Sequence, residues 1–189
     1  METRRPPSDP FDSCISHPTR RGRRVSKNSP KSGQPMPLHG QLAHLTPFEK
    51  QPILFLTVCA AHRTPLLANE AAHSTLRSVW SESHTRQGWA VGDYVIMPDH
   101  LHLFARQATD GCSLAKWMQT WKSISARLIA AQLNLSPPLW QKDYFDRFLR
   151  SKESYSEKWD YVRMNPVRTK LVSKPEDWPY SGKIHDLQF

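Results

Sequence analysis

His100 and His102 stand two residues apart in "VIMPDHLHLF", a stretch that is otherwise apolar. On a strand, residues two apart share a face. The two imidazoles then project together while Leu101 and Leu103 point the other way, toward a core. Adjacent imidazoles on one face can supply two nitrogens to one divalent cation. Alone, such a pair is more often ordinary half-exposed strand than a metal site. Two other chemistries are excluded by the letters. A histidine-triad nucleotide hydrolase needs a third His two residues on, where Phe104 stands, and a zinc protease needs HExxH on a helix, which the sequence lacks.

A second constellation lies in "KESYSEKWDYVRMN", residues 152–165. Tyr155, Trp159 and Val162 recur at i, i+4 and i+7 and make an apolar stripe. Ser154, Lys158, Tyr161 and Asn165 recur the same way on a polar face, which puts a phenol one turn from an amide. A tyrosine so placed can equally be surface decoration. The other tyrosines are worse nucleophiles. Tyr155 is on the core stripe, Tyr144 in an expected strand, Tyr94 in a hairpin and Tyr180 in a Pro-flanked tail.

The elements that must hold these residues follow from local pattern. "ILFLTVCA" (53–60) has the length and β-branching of a strand. Leu76, Val79 and Trp80 predict a helix from Asn69 to about Arg86, ended by Gly88. "WAVGDYVIM" (89–97) and "HLHLFARQ" (100–107) read as a β-hairpin turning at Pro98-Asp99. Ser113 caps a long helix that carries Leu114, Trp117, Trp121, Ile124 and Leu128 on one face and breaks at Pro137-Pro138. "LWQKDYFDRFLR" (139–150) returns as a strand, and a last helix runs from about Lys152 to Asn165 and stops at Pro166. The order predicts an α+β fold, a mainly antiparallel sheet with helices packed on it.

The chain has 189 residues, enough for one domain. Its formal net charge of +9 favours a polyanionic partner, nucleic acid first. Over half of that excess sits in the first forty residues, where eight basic residues face Glu2, Asp9 and Asp12. That segment is rich in Pro, Ser and Arg with no periodicity. The expected division is a disordered basic arm over 1–45, one domain over 46–182 and a C-terminal tail over 183–189. Cys14, Cys59 and Cys112 form no CxxC pair, so neither a zinc ribbon nor a disulfide framework is expected. No apolar run is long enough to cross a bilayer and the N-terminus lacks a hydrophobic signal core. A cytoplasmic setting without a membrane partner is the expectation.

"MPDHLHLF", the helix with "WKSISARLI", "WQKDYFDRFLR", "YVRMNPVRTKLV" and "EDWPYSG" occur in this order over residues 50–182. Together they resemble the REP-associated tyrosine transposases, relatives of the small single-tyrosine transposases of bacterial insertion sequences. The resemblance implies the ferredoxin/RRM-like fold of transposases with a histidine–hydrophobe–histidine motif. It matches His100 and His102 to that motif, Tyr161 to the catalytic tyrosine and Asn165 to a third metal ligand. Asp99 stands where Asn is frequent, a change expected to affect the turn more than the metal. "NPVRTKLV" replaces the more usual Ala-Gly after Arg168.

The chemistry implied is transesterification on DNA. An ordinary phenol, with a pKa of about 10, is a poor nucleophile at neutral pH, so the phosphate has to be made a better electrophile. Mg²⁺ or Mn²⁺ held by His100, His102 and Asn165 would do this. Tyr161 would then form a 5′-phosphotyrosine link and release a 3′-hydroxyl. The expected partner is single-stranded DNA with hairpin-forming palindromes, and homodimer or monomer is left open. Lys122, Arg147, Arg150, Arg163 and Arg168 are candidates for phosphate contacts. Trp140 and Phe145 could stack on bases, with core packing the commoner use. Two readings compete: a domesticated hairpin-binding protein that does not cleave, and a replication nickase, which often carries two tyrosines or a helicase.

Overall fold

A computed structural model describes residues 51–187; the basic arm expected over 1–45 lies outside them. Strand β1 (Ile53–Cys59) is apolar except for Thr57 and buried along its length. Helix α1 (Glu70–Gln87) starts where the Asn69 side chain accepts from the Ala72 amide. It ends at Gly88, whose φ of 71° is left-handed. A Cβ at Gly88 would also fall 2.5 Å from the Gly111 Cα. Strands β2 (Trp89–Ile96) and β3 (His100–Gln107) form the expected hairpin, closed by the Met97 amide on the His100 carbonyl. Helix α2 (Leu114–Leu133) follows the Ser113 cap. Then come β4 (Phe145–Leu149), α3 (Lys152–Arg163), the short α4 (Asn165–Arg168) and β5 (Ser181–Lys183). The five strands form one antiparallel sheet in the order β4-β1-β3-β2-β5, and the α+β class is as expected.

The sheet has two unlike faces. Leu54, Leu56, Val58, Leu101 and Leu103 meet Trp80, Trp117 and Trp121 from α1 and α2 in the larger core. On the other face, Ile53, Phe55, Val95 and Phe104 pack with Tyr155, Trp159 and Val162 of α3 and with Leu187 of the C-terminal segment. The two histidines belong to this second face.

Three local expectations shift. The long helix ends at Leu133, because Asn134 adopts a left-handed φ of 52° ahead of the prolines. Its buried stripe is Trp117, Trp121, Ser125 and Ile129, with Met118 beside it, while Leu128 is exposed. Ser125 holds the stripe because its hydroxyl accepts from the buried Trp140 indole, 3.0 Å away. The last helix does not stop at Pro166. The chain passes through Met164 into α4 with Pro166 in the first turn, where its missing N–H costs no bond. Finally, the strand expected over 139–150 is regular only at Phe145–Leu149, with one isolated bridge from Trp140 to Ala60.

These placements separate two leucines that the sequence assigned to apolar faces. Leu103→Ala should cost about 2–5 kcal/mol in urea unfolding, whereas Leu128→Ala should stay within about 0.5 kcal/mol of the parent.

Candidate metal and nucleophile site

The register of β1 against β3 builds the first half of the site. It sets Thr57 opposite His102 and Cys59 opposite His100. Cross-strand partners share a face, so the Thr57 hydroxyl reaches His102 Nδ1 at 2.9 Å. The His102 ring stacks on Phe55 at 5.5 Å and 18°, and meets His100 edge-on at 4.8 Å. His100 Nδ1 lies 2.7 Å from Asp99 Oδ1, and Asp99 Oδ2 pairs with Arg63 Nε at 2.8 Å. Arg63 also donates to Cys59 Sγ at 3.0 Å. His62 and Arg63 both sit at left-handed φ, 55° and 57°, a conformation that costs energy outside glycine, and these bonds hold the Arg63 side chain in place.

Asp99 thus engages His100 and Arg63 in addition to its place in the turn. With Nδ1 protonated, each histidine donates to its partner, Asp99 or Thr57, and keeps its lone pair on Nε2. Such partners fix tautomer and ring orientation in metal-binding histidines. Burial pushes the Asp99 carboxyl up, but the bond to His100 and the charges of His100 and Arg63 outweigh it and hold it below its usual value. His102 is held well below the usual imidazole value, first by burial and then by the positive charges of His100, Lys158, Arg63 and Arg168. It is neutral at neutral pH, as a ligand must be.

The second half of the site rides on α3 and α4. A capping box between Ser151 and Ser154 starts α3. The Tyr155 hydroxyl donates to Asp93 at the bulge of β2, and Lys183 Nζ lies 3.8 Å from the same carboxylate. Burial and the bond to Asp93 push the Tyr155 phenol far up, which leaves it an anchor and a poor nucleophile. Tyr161 is half-buried. The Arg168 guanidinium covers its ring at 4.0 Å from the centroid, and Lys158 Nζ lies 5.3 Å from it. Arg168 also donates to Asn165 Oδ1. Lys158 sits 5.2 Å over Phe55, which stacks on His102. A continuous line of contacts therefore joins His102, Phe55, Lys158, Tyr161, Arg168 and Asn165.

The basic candidates divide by position. Arg168 is in that line. Arg147 on β4 pairs with Phe55 in register and is exposed on the histidine face. Arg150 is exposed just ahead of the α3 cap. Arg163 is engaged with Asp160 at 3.0 Å and Glu176 at 3.6 Å. Lys122 donates to the Gln141 and Lys142 carbonyls at 2.6 and 3.0 Å and straps that loop to α2. Trp140 is core, as expected, whereas Phe145 is 39% exposed. Among the described residues no three His, Cys, Asp or Glu side chains cluster as metal ligands. A metal ion held by both histidines would need further donors, and amide, hydroxyl or substrate oxygens are ones that Mg²⁺ and Mn²⁺ accept.

The family described as "Transposase IS200 like" matches residues 53–164, more than half of the chain. The chain belongs to the IS200-like transposase family. A Haemophilus influenzae protein named as a REP-associated tyrosine transposase is 23% identical over 150 residues, 75% of this chain and 85% of the relative. An Escherichia coli REP-associated tyrosine transposase is 25% identical over 98 residues, 51% of this chain and 56% of the relative. A solved REP-associated tyrosine transposase bound to a REP hairpin superposes with a TM-score of 0.58 at 19% identity, over 76% of this chain and 93% of that one. That likeness is one of fold. The resemblance read from the sequence thus holds at the level of family and architecture. No helix among the described residues is long and apolar enough to cross a membrane.

Sequence reasoning missed Thr57, Phe55 and Arg63 as neighbours of this transposase-family site. The strand parity of β1 could have found Thr57 and Phe55 once a β1–β3 register was assumed. Nothing local marks Arg63. A depressed histidine also leaves a signature in stability. The folded state binds its proton less readily than the unfolded chain, so stability is full above the ordinary imidazole value of about 6.5 and falls as pH drops below it. In metal-free protein, urea stability should decline from pH 7 to 5, with a shallower decline in His102→Gln. An unchanged slope would show that His102 protonates freely.

Proposed function

We propose that the chain is a transposase-type strand-transfer enzyme that binds single-stranded, hairpin-forming DNA. It cleaves and rejoins that DNA through a 5′-phosphotyrosine at Tyr161. The observation that carries the reading is the line of contacts from His102 through Phe55 and Lys158 to Tyr161. Family membership and a relative solved bound to a REP hairpin support it. His100 and His102, with their Nδ1 atoms already engaged, would present Nε2 to Mg²⁺ or Mn²⁺, and Asn165 would add its amide oxygen. A bound metal ion would polarise the scissile phosphate.

The chain's own residues supply the rest. The Tyr161 oxygen attacks phosphorus and loses its proton, and the departing 3′-oxygen takes one up. The phosphodiester becomes a phosphotyrosyl diester, so bond energy is conserved and a 3′-hydroxyl can reverse the step without ATP. Lys158 and Arg168, stacked on the phenol ring, favour negative charge on its oxygen as the bond forms. Tyr155 is spared from this chemistry by Asp93 and keeps the helix in place.

The test uses labelled hairpin oligonucleotides built from short palindromes that flank the gene, with Mn²⁺ and a denaturing gel. A covalent protein–DNA adduct should form, vanish in Tyr161→Phe and fall by about two orders of magnitude in His102→Ala. Tight hairpin binding with no adduct across varied substrates would instead mark a non-cleaving DNA-binding protein.

A further inference from the structure

In the loop between β1 and α1, two successive residues that are not glycine, His62 and Arg63, hold left-handed φ. Such backbone persists only where its surroundings determine it, and strain of this kind gathers at functional sites. Backbone bonds fasten the loop to the β2–β3 turn on either side of Arg63. The Ala60 amide donates to the Asp99 carbonyl at 2.9 Å, and the Leu67 amide to the Pro98 carbonyl at 2.8 Å. The Arg63 guanidinium is thereby brought against the turn, where Nε pairs with Asp99 Oδ2 at 2.8 Å and Nη1 donates to Cys59 Sγ at 3.0 Å. Cys59 is the register partner of His100, and Asp99 precedes it in the chain. One planar fork therefore holds both neighbours of that histidine.

Stability does not account for this arrangement. The Arg63 and Asp99 side chains are 33% and 25% exposed, and an ion pair open to solvent adds less to folding than two left-handed residues take away. What the pair does control is the proton on His100. Asp99 is ionised at neutral pH and can only accept. A neutral His100 must then donate from Nδ1, 2.7 Å from Asp99 Oδ1, and carry its lone pair on Nε2. Arg63 takes the other carboxylate oxygen and leaves Oδ1 to the imidazole; without it, a carboxylate a quarter exposed is free to turn to water. His102 is held differently. Its Nδ1 partner is the Thr57 hydroxyl, which can give or take the bond.

We infer that Arg63 is a positioning residue: through Asp99 it sets His100, before any cation arrives, with its proton on Nδ1 and its lone pair on Nε2. This deepens the proposed function and rests on its reading of His100 as a metal ligand. A histidine so set needs neither a tautomer change nor a turn of the ring to take up a divalent cation. In this role Arg63 acts through the histidine alone.

Nitrogen-15 spectra of the metal-free full chain, recorded at about pH 8 where an ordinary imidazole is neutral, read the tautomer of each ring. His100→Gln and His102→Gln assign the signals, and a Mn²⁺ titration followed by electron spin resonance reads affinity. Wild-type His100 should show the single form protonated on Nδ1. Arg63→Gly suits the left-handed backbone, so its urea midpoint should match or exceed that of wild type. The same variant should nevertheless mix the His100 tautomers and weaken Mn²⁺ binding about tenfold. Asp99→Asn, whose amide can give or take the bond, should mix the tautomers as well. The positioning role is overturned if wild-type His100 is itself mixed, or if Asp99→Asn keeps the single form. It is equally overturned if Arg63→Gly keeps the wild-type tautomer or affinity, or loses affinity and urea stability together, as a merely structural residue would. Should His100→Gln bind Mn²⁺ like wild type, the metal reading falls and the positioning role with it. Should His100→Gln lose Mn²⁺ while Arg63→Gly does not, the positioning role falls and the metal reading stands.

Discussion

The antiparallel register of β1 against β3 is the constraint on which the rest depends. It runs from Ile53 opposite Arg106 to Cys59 opposite His100. Because side chains alternate, the register assigns Leu54, Leu56, Val58, Leu101 and Leu103 to the tryptophan core and both histidines to the opposite face. A slip by one residue would bury the imidazoles among leucines and expose the leucines. The free energy of the larger core thus keeps the histidines oriented, although they contribute little to it. The same register brings Thr57 to His102 and Phe55 under its ring. The position of the site is set by hydrophobic burial, and the orientation of its rings by two hydrogen bonds.

The helix that carries Tyr161 needs a second constraint, on its rotation about its own axis. Trp159 and Val162 supply apolar burial, but apolar contact alone is tolerant of rotation. Tyr155 removes that tolerance by donating to Asp93, a buried carboxylate that would be costly to leave unbonded. Six residues at about 100° each place Tyr161 roughly 120° around the helix from Tyr155. Anchoring one tyrosine in the sheet therefore fixes the direction in which Lys158 and Tyr161, one turn apart on the same helix, leave it.

Much of the architecture was legible because it is written locally. Asn69, Gly88 and Ser113 announce helix ends through backbone needs that few residues meet, and β1 and the hairpin show their apolar runs directly. The HxH pair was legible by parity, and Tyr161 and Asn165 by helical spacing with the family likeness behind them. What escaped depends on partners distant in sequence. Ser125 broke the apolar pattern of α2 because its justification is Trp140, fifteen positions on. Pro166 read as a stop, yet the first turn of a new helix tolerates it. Asp99 read as a turn residue because its neighbour Arg63 lies on a separate loop. Lys122 read as a candidate phosphate contact, although it holds two backbone carbonyls.

The charges around the site act together. Arg63 is matched by Asp99, so its effect is mainly to hold that carboxylate on His100. Lys158 and Arg168 are spent on aromatic faces, Phe55 and Tyr161, where a cation is attracted by the ring and remains beside the histidines. Their positive field, added to burial, keeps a proton off His102. The same field is what a phosphate would meet on arriving between Tyr161 and the histidine pair.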